Sequence, residues 1–200
     1  MGIIRCNCGE EISVDFPEVF DTKEYPDLFE EVLEGKFLSV QCSACGTLIK
    51  PELPVRLVDK ERGIDIFFLP DKEREKYLAG KRDVPEADRI VFGYLELAEK
   101  VYIFSNDLND RVVETIKYYY LKKGGGEDIT VYLDALENEK LRFHIHGLKK
   151  DEIGITTLSR NFYEKVETEL PSIVQTENLS EVLSPPYVSV KKIYIETEEE

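Results

Sequence analysis

The sequence predicts an α+β protein: a zinc-ribbon-like N-terminal β unit with a helical hairpin, followed by a smaller, β-rich α+β module. Three observations carry this. All four cysteines fall in two short clusters, Cys6-Asn7-Cys8-Gly9 and Cys42-Ser43-Ala44-Cys45-Gly46, which tie the first forty-five residues together. Two segments, Tyr94–Tyr102 and Leu108–Tyr120, each carry one apolar stripe at helical spacing. Beyond Gly124-Gly125-Gly126 the chain reads as short strands around one helix.

The elements follow in order. The first cluster sits between strands Gly2–Cys6 and Glu11–Phe16. Tyr25–Gly35 places Leu28, Phe29, Val32 and Leu33 on one helical face, with Pro26 in its first turn and Gly35 as its stop. Lys36–Gln41 leads as a strand into the second cluster. Leu48–Asp59 and Gly63–Leu69 are β-rich and flank a turn at Asp59–Gly63. Pro70 closes that unit, and Asp71 caps a short charged helix to Leu78. The Tyr94–Tyr102 and Leu108–Tyr120 stripes form an antiparallel hairpin, the second helix introduced by Ser105-Asn106-Asp107, with Lys122-Lys123 in its last turn and Gly124 beyond it. Gly124–Gly126 is a hinge, dividing a domain of residues 1–123 from one of 127–200. The second holds strands Ile129–Leu136, Lys140–Gly147 and Glu152–Thr157. A helix Ser159–Glu169, ended by Pro171, and a last strand Tyr187–Ile195 complete it. Glu198–Glu200 is a frayed end.

At 42% hydrophobic and 10% aromatic, the 200 residues have the composition of a folded core. No apolar stretch reaches the ~20 residues of a membrane helix, and Cys6 stands where a signal peptide would need its apolar region. A cytoplasmic, reducing location is expected, which favours metal thiolates over disulfides. The net charge is −15, spread over both halves. Nucleic-acid binding calls for a basic face that releases counterions from phosphates, so a protein partner is expected instead. Oligomeric state is not legible.

Two cysteine pairs, each followed by glycine, form two halves of one tetrahedral thiolate site: Cys6, Cys8, Cys42 and Cys45. A tight turn presents two thiolates at once, and a glycine at positive φ lets backbone N–H groups approach the sulfurs. A redox pair would open a helix, yet Thr47–Pro51 is strand-like and broken by proline. Zn2+ is the expected ion, iron the second. A closed four-cysteine site stabilises a fold and leaves no open position for chemistry.

The pattern resembles the CpXC family, a bacterial and archaeal domain named for two cysteine knuckles. The likeness rests on both knuckles, Asp27–Gly35 between them, and the hairpin with Asp59 and closing Pro70. Arg89-Ile90-Val91, Glu96–Lys100 and Asp110-Arg111 continue it, so that it covers about residues 3–122. The chain departs at Cys6-Asn7-Cys8, where the family more often has proline and a longer spacing. The family carries no assigned reaction, so the resemblance implies fold and metal only.

His144 and His146 alternate with Phe143 and Ile145 in a strand, putting both imidazoles on one face with Arg142. Solvated histidines are the simpler reading, half of a metal site or an anion site the sharper one. Tyr119 and Tyr120 belong to the helix stripe, leaving Tyr118 as the exposed tyrosine. Asp107 and Asp110 read as capping carboxylates. No phosphate loop, dinucleotide fingerprint, HExxH or serine elbow is present, and catalytic residues are unassigned. The expected function is that of a zinc-stabilised binding protein or scaffold. The alternatives are an enzyme with a site between the modules using His144 and His146, or a metal-responsive regulator.

Overall fold

Gly2–Arg5 (β1) pairs antiparallel with Glu11–Val14 (β2), and the first cysteine cluster is the loop of this hairpin. The computed structural model describes residues 2–124, 129–175 and 177–193. Its chain divides into two compact units, Met1–Val101 and Tyr102–Glu200.

In the first unit, Val19–Asp21 (β3) lies parallel to Val55–Asp59 (β6). The crossover between them carries Leu28–Leu33 (α1) and a second hairpin, Val40–Gln41 (β4) with Leu48–Ile49 (β5), whose loop is the second cysteine cluster. β6 turns back antiparallel onto Ile64–Leu69 (β7). The turn is built as the sequence predicts: Asp59 Oδ1 accepts the backbone N–H groups of Glu61 and Arg62, and Gly63 takes φ +66°. Asp71–Glu73, a 3-10 turn, and Arg74–Leu78 (α2) lead to Arg89–Phe92 (β8), which runs parallel to β7. The sheet order is β3-β6-β7-β8. Leu28, Leu57, Ile66, Phe68, Phe92 and Leu97 are fully buried, and Phe20 packs edge-on against Phe37 at 5.0 Å.

Asp71 does not cap the helix after it; its carboxylate and Glu96 both hold Arg74. The strand expected over Lys36–Gln41 shrinks to β4, because Leu38 takes φ +56° and turns the chain.

Gly93–Ser105 (α3) and Asp110–Gly124 (α4) are the two predicted helices. The cap of α4 is Asn109, whose Oδ1 accepts the Arg111 N–H; Ser105 ends α3, and Asn106 and Asp107 form the connecting turn instead. Asp110 is buried at the start of α4, whereas Asp107 is exposed in the left-handed region. The exposed tyrosine is Tyr119, not Tyr118, since the buried arc ends on Leu121, about half a turn from Tyr119.

In the second unit Thr130–Glu137 (β9), Lys140–Lys149 (β10) and Glu152–Ser159 (β11) form an antiparallel sheet, ordered β11-β10-β9. Asn138 and Glu139, both at positive φ, make the two-residue β9–β10 turn. Ser159 caps Arg160–Ile173 (α5) by accepting the Phe162 N–H. Pro171 does not end α5: it lies in the last turn, where it removes a single hydrogen bond. Glu177–Val182 (α6) follows. One core joins Val112, Val113 and Ile116 of α4 to Leu133, Leu141 and Phe143 of the sheet and Tyr163 and Val166 of α5. The compact units therefore divide within α3, whereas the sequence predicts domains of residues 1–123 and 127–200. The difference is α4, whose apolar stripe belongs to the second core.

The predicted strand Tyr187–Ile195 is a correction. Val190–Lys192 is a 3-10 turn, because the Val190 N–H is taken by Glu114 Oε2 at 2.8 Å and Ser189 Oγ takes that of Lys191. From Ser189 to Ile193 every backbone N–H is taken within this turn or by Glu114 and Val182, and Tyr194 and Ile195 lie outside the described residues. Most of the predicted glycine hinge, residues 125–126, and the charged end 198–200 lie outside the described residues.

Candidate metal centre

The two hairpins bring all four cysteines together: their Sγ atoms lie within 4.8 Å of one another, Cys6 and Cys42 buried, Cys8 and Cys45 exposed. The two loops are versions of one turn. In the second, Cys42 N–H donates to Thr47 O and Gly46 N–H to Cys42 O, both at 2.9 Å. In the first, Cys6 N–H donates to Glu10 O at 2.8 Å and Gly9 N–H to Cys6 O at 2.9 Å. Each bond spans one residue fewer, and the topology is otherwise the same. Gly9 and Gly46 take φ +95° and +74°, a region where a Cβ is costly. The missing residue in Cys6-Asn7-Cys8 shortens the knuckle without abolishing it.

The donor geometry fits a thiolate-bound ion. Ligands about 2.3 Å from a tetrahedral centre stand about 3.8 Å apart. Cys6 Sγ lies 3.5 Å from Cys45 Sγ, and Cys8 Sγ lies 3.7 Å from Cys42 Sγ. Contact runs across the knuckles, as a shared ion requires.

The electrostatics agree. The hydroxyl of Thr47, 3.2 Å from Cys45 Sγ, and the Thr47 backbone N–H hold the Cys45 thiol down to about 6. The Cys8 N–H draws Cys6 the same way, but burial and the adjoining thiols prevail and push it up to about 12. Cys8 is also raised: the Glu10 N–H and the Cys6 side chain lower it, but the other two thiols and desolvation outweigh them. Packed this closely, four thiols do not ionise together without a cation between them, and a divalent ion removes that conflict. The cluster can hold a metal ion.

The histidines belong to the second unit. His144 Nε2 lies 3.4 Å from Asp134 Oδ2, which also takes Arg142 Nε at 2.5 Å, and Arg142 reaches Glu137 at 3.2 Å. His146 packs edge-on against Tyr132 at 6.0 Å. Among the described residues no third histidine, cysteine or carboxylate completes a metal set here. Asp134 is the partner that alternation along β10 does not reveal. It turns the anticipated cationic face of Arg142, His144 and His146 into a balanced one. The β9–β10 register carries an irregularity between Arg142 and Phe143, which brings Asp134 beside Arg142 and could not be read from alternation.

Residues of the quoted motif also find their roles. Glu96 is buried, its Oε2 accepting the Phe92 N–H at 3.0 Å and its Oε1 facing Arg74 at 3.1 Å. A cleft of about 290 Å³ opens beside the Asp59 turn, lined by Asp21, Lys23, Phe29, Asp59, Lys60 and Arg62. Its Asp21 carboxylate is occupied by the Lys23 N–H and by Lys60, and hydrogen bonds to these groups hold it below the usual carboxylate range.

The CpXC protein family matches residues 4–117, more than half of the sequence, and this chain belongs to that family. An uncharacterized protein of Treponema pallidum (strain Nichols) is 26% identical over 214 aligned residues, covering 96% of this chain and 97% of that protein. That likeness runs past residue 117 through the second unit. No solved structure matches the chain.

Proposed function

We propose that this member of the CpXC family is a zinc-stabilised cytoplasmic protein that acts by binding another protein, its metal structural and not catalytic. The observation that carries the reading is the closed set of four thiols on two glycine-ended knuckles. Cys6, Cys8, Cys42 and Cys45 would hold Zn2+, and a site filled by four protein ligands offers no position to a water or substrate. Facing free thiols also require a reducing compartment. The overall charge of −15 supports a protein partner over nucleic acid.

The His144–Asp134 contact is the observation that favours the enzyme alternative, since a carboxylate can orient an imidazole. Arg142 competes for the same oxygen, and both side chains are about 30% exposed, which fits a surface charge network better.

The decisive experiment is metal analysis of protein purified without added metal, paired with affinity capture from its host. The expected result is stoichiometric zinc, lost in Cys42→Ser together with the order of both hairpins, and a protein retained on the wild-type chain. A metal-free wild type that keeps both knuckles folded sinks the reading.

A further inference from the structure

We infer that the outer edge of β11 pairs antiparallel with β11 of a second copy of this chain, joining two three-stranded sheets into one of six. β11 is the edge of its sheet, and no residue along it is buried. From Ile153 to Ser159 it carries no charge or proline, devices that ordinarily protect an edge, and its pairing with β10 is regular from Gly154 to Ser159, the extra residues of the one irregularity lying on β10 opposite Ile153. Ile153 and Ile155 are 54% and 65% exposed on the face that also bears His144.

The ladder shows which groups face outward. Arg160 N–H donates to Glu139 O at 2.8 Å, one step beyond the Lys140–Ser159 pair. Hydrogen bonding alternates along an antiparallel strand, so Thr156 and Leu158 turn their backbone groups toward β10, and Ile153, Ile155, Thr157 and Ser159 turn theirs to the open edge. A two-fold axis through Thr156 pairs Ile153 with Ser159 and Ile155 with Thr157 of the other copy, which uses every outward group from 153 to 159. The same register sets Glu152 opposite Arg160, so the only charges bordering the strand meet with opposite sign. It also makes the two copies of Ile155 diagonal neighbours, within side-chain reach on one face. Maximal ladder length and charge complementarity thus select one register, and a strand complementary to itself in this way specifies a second copy as occupant.

Such an interface belongs to the small class, under about 1,200 Å², so the dimer is concentration-dependent. Each copy carries −15, and salt, by screening the repulsion, strengthens the association. Sedimentation velocity on the full chain, across protein concentration and at low and high salt, tests this. The expected result is a dimer that grows with both, and that Ile155→Lys abolishes while leaving the melting temperature unchanged. Mild oxidation locates the axis: Thr156→Cys cross-links to its own copy, and Ile153→Cys does not. A monomer under every condition overturns the inference, as does a dimer that survives Ile155→Lys or cross-links equally at both positions. A chain that stays monomeric but takes up an added extended peptide assigns the edge to a foreign strand and overturns it too.

Discussion

Single residues decide how much of the metal centre can be read in advance. The four cysteines and the two glycines were legible because thiolate spacing and positive φ are local demands, written within five residues of each other. The consequence of a shortened knuckle was not legible, because it depends on whether the backbone bonds can close around one residue fewer; they do, from Gly9 to Cys6 and from Cys6 to Glu10. His144 shows the converse. Its strand and face followed from alternation, but its partner Asp134 lies on another strand beside a register irregularity. Because both side chains are partly exposed and Asp134 keeps Arg142, replacing His144 with Ala is expected to cost less than about 1 kcal/mol in denaturant unfolding. A loss of several kcal/mol would show that the imidazole is engaged more deeply than a surface pair.

Among the elements, the helices of the middle of the chain were the most legible, since a stripe of five or six apolar residues at helical spacing overrides local ambiguity. The end of the chain was the least. Tyr187–Ile195 has the β-branched composition of a strand, yet Glu114, seventy-six positions earlier, claims the Val190 N–H and fixes a 3-10 turn against α4. Glu114 also pairs with Lys117 at 2.8 Å, and both side chains are 2–3% exposed. Tyr132 extends this cluster: Lys117 lies 5.5 Å from its ring centre, and Lys191 donates to its hydroxyl at 2.9 Å. Removing one member of a buried charge pair is strongly destabilising, because the other loses its counter-charge out of water. Glu114→Ala is therefore expected to cost about 3–5 kcal/mol and to release the 183–193 segment. Limited proteolysis detects that release as new cleavage there, and an unchanged digestion pattern with unchanged stability would refute it.

At the scale of the whole molecule, the two units differ in what holds their outlying elements in place. The first depends on elements too small to stand alone: β1–β2 pairs four residues, β4–β5 two, and isolated two-stranded hairpins are marginal in water. The second unit contains no cysteine and has its own core across α4, β9–β11 and α5. Metal binding to such a centre is folding free energy, worth around 10 kcal/mol in small zinc domains. A strong chelator should therefore act locally. Hydrogen exchange is expected to rise by orders of magnitude in residues 2–14 and 40–49, while amides of β9–β11 keep their protection. The buried strands β6 and β7, whose ladder needs no sulfur, should retain most of theirs. Uniform loss of protection in both units would mean that the metal controls global unfolding, and no loss at all would mean that the hairpins hold without it. Readdition of Zn2+ should restore the hairpins at pH 7 and fail near pH 4, because proton competition for the thiolates weakens binding as pH falls.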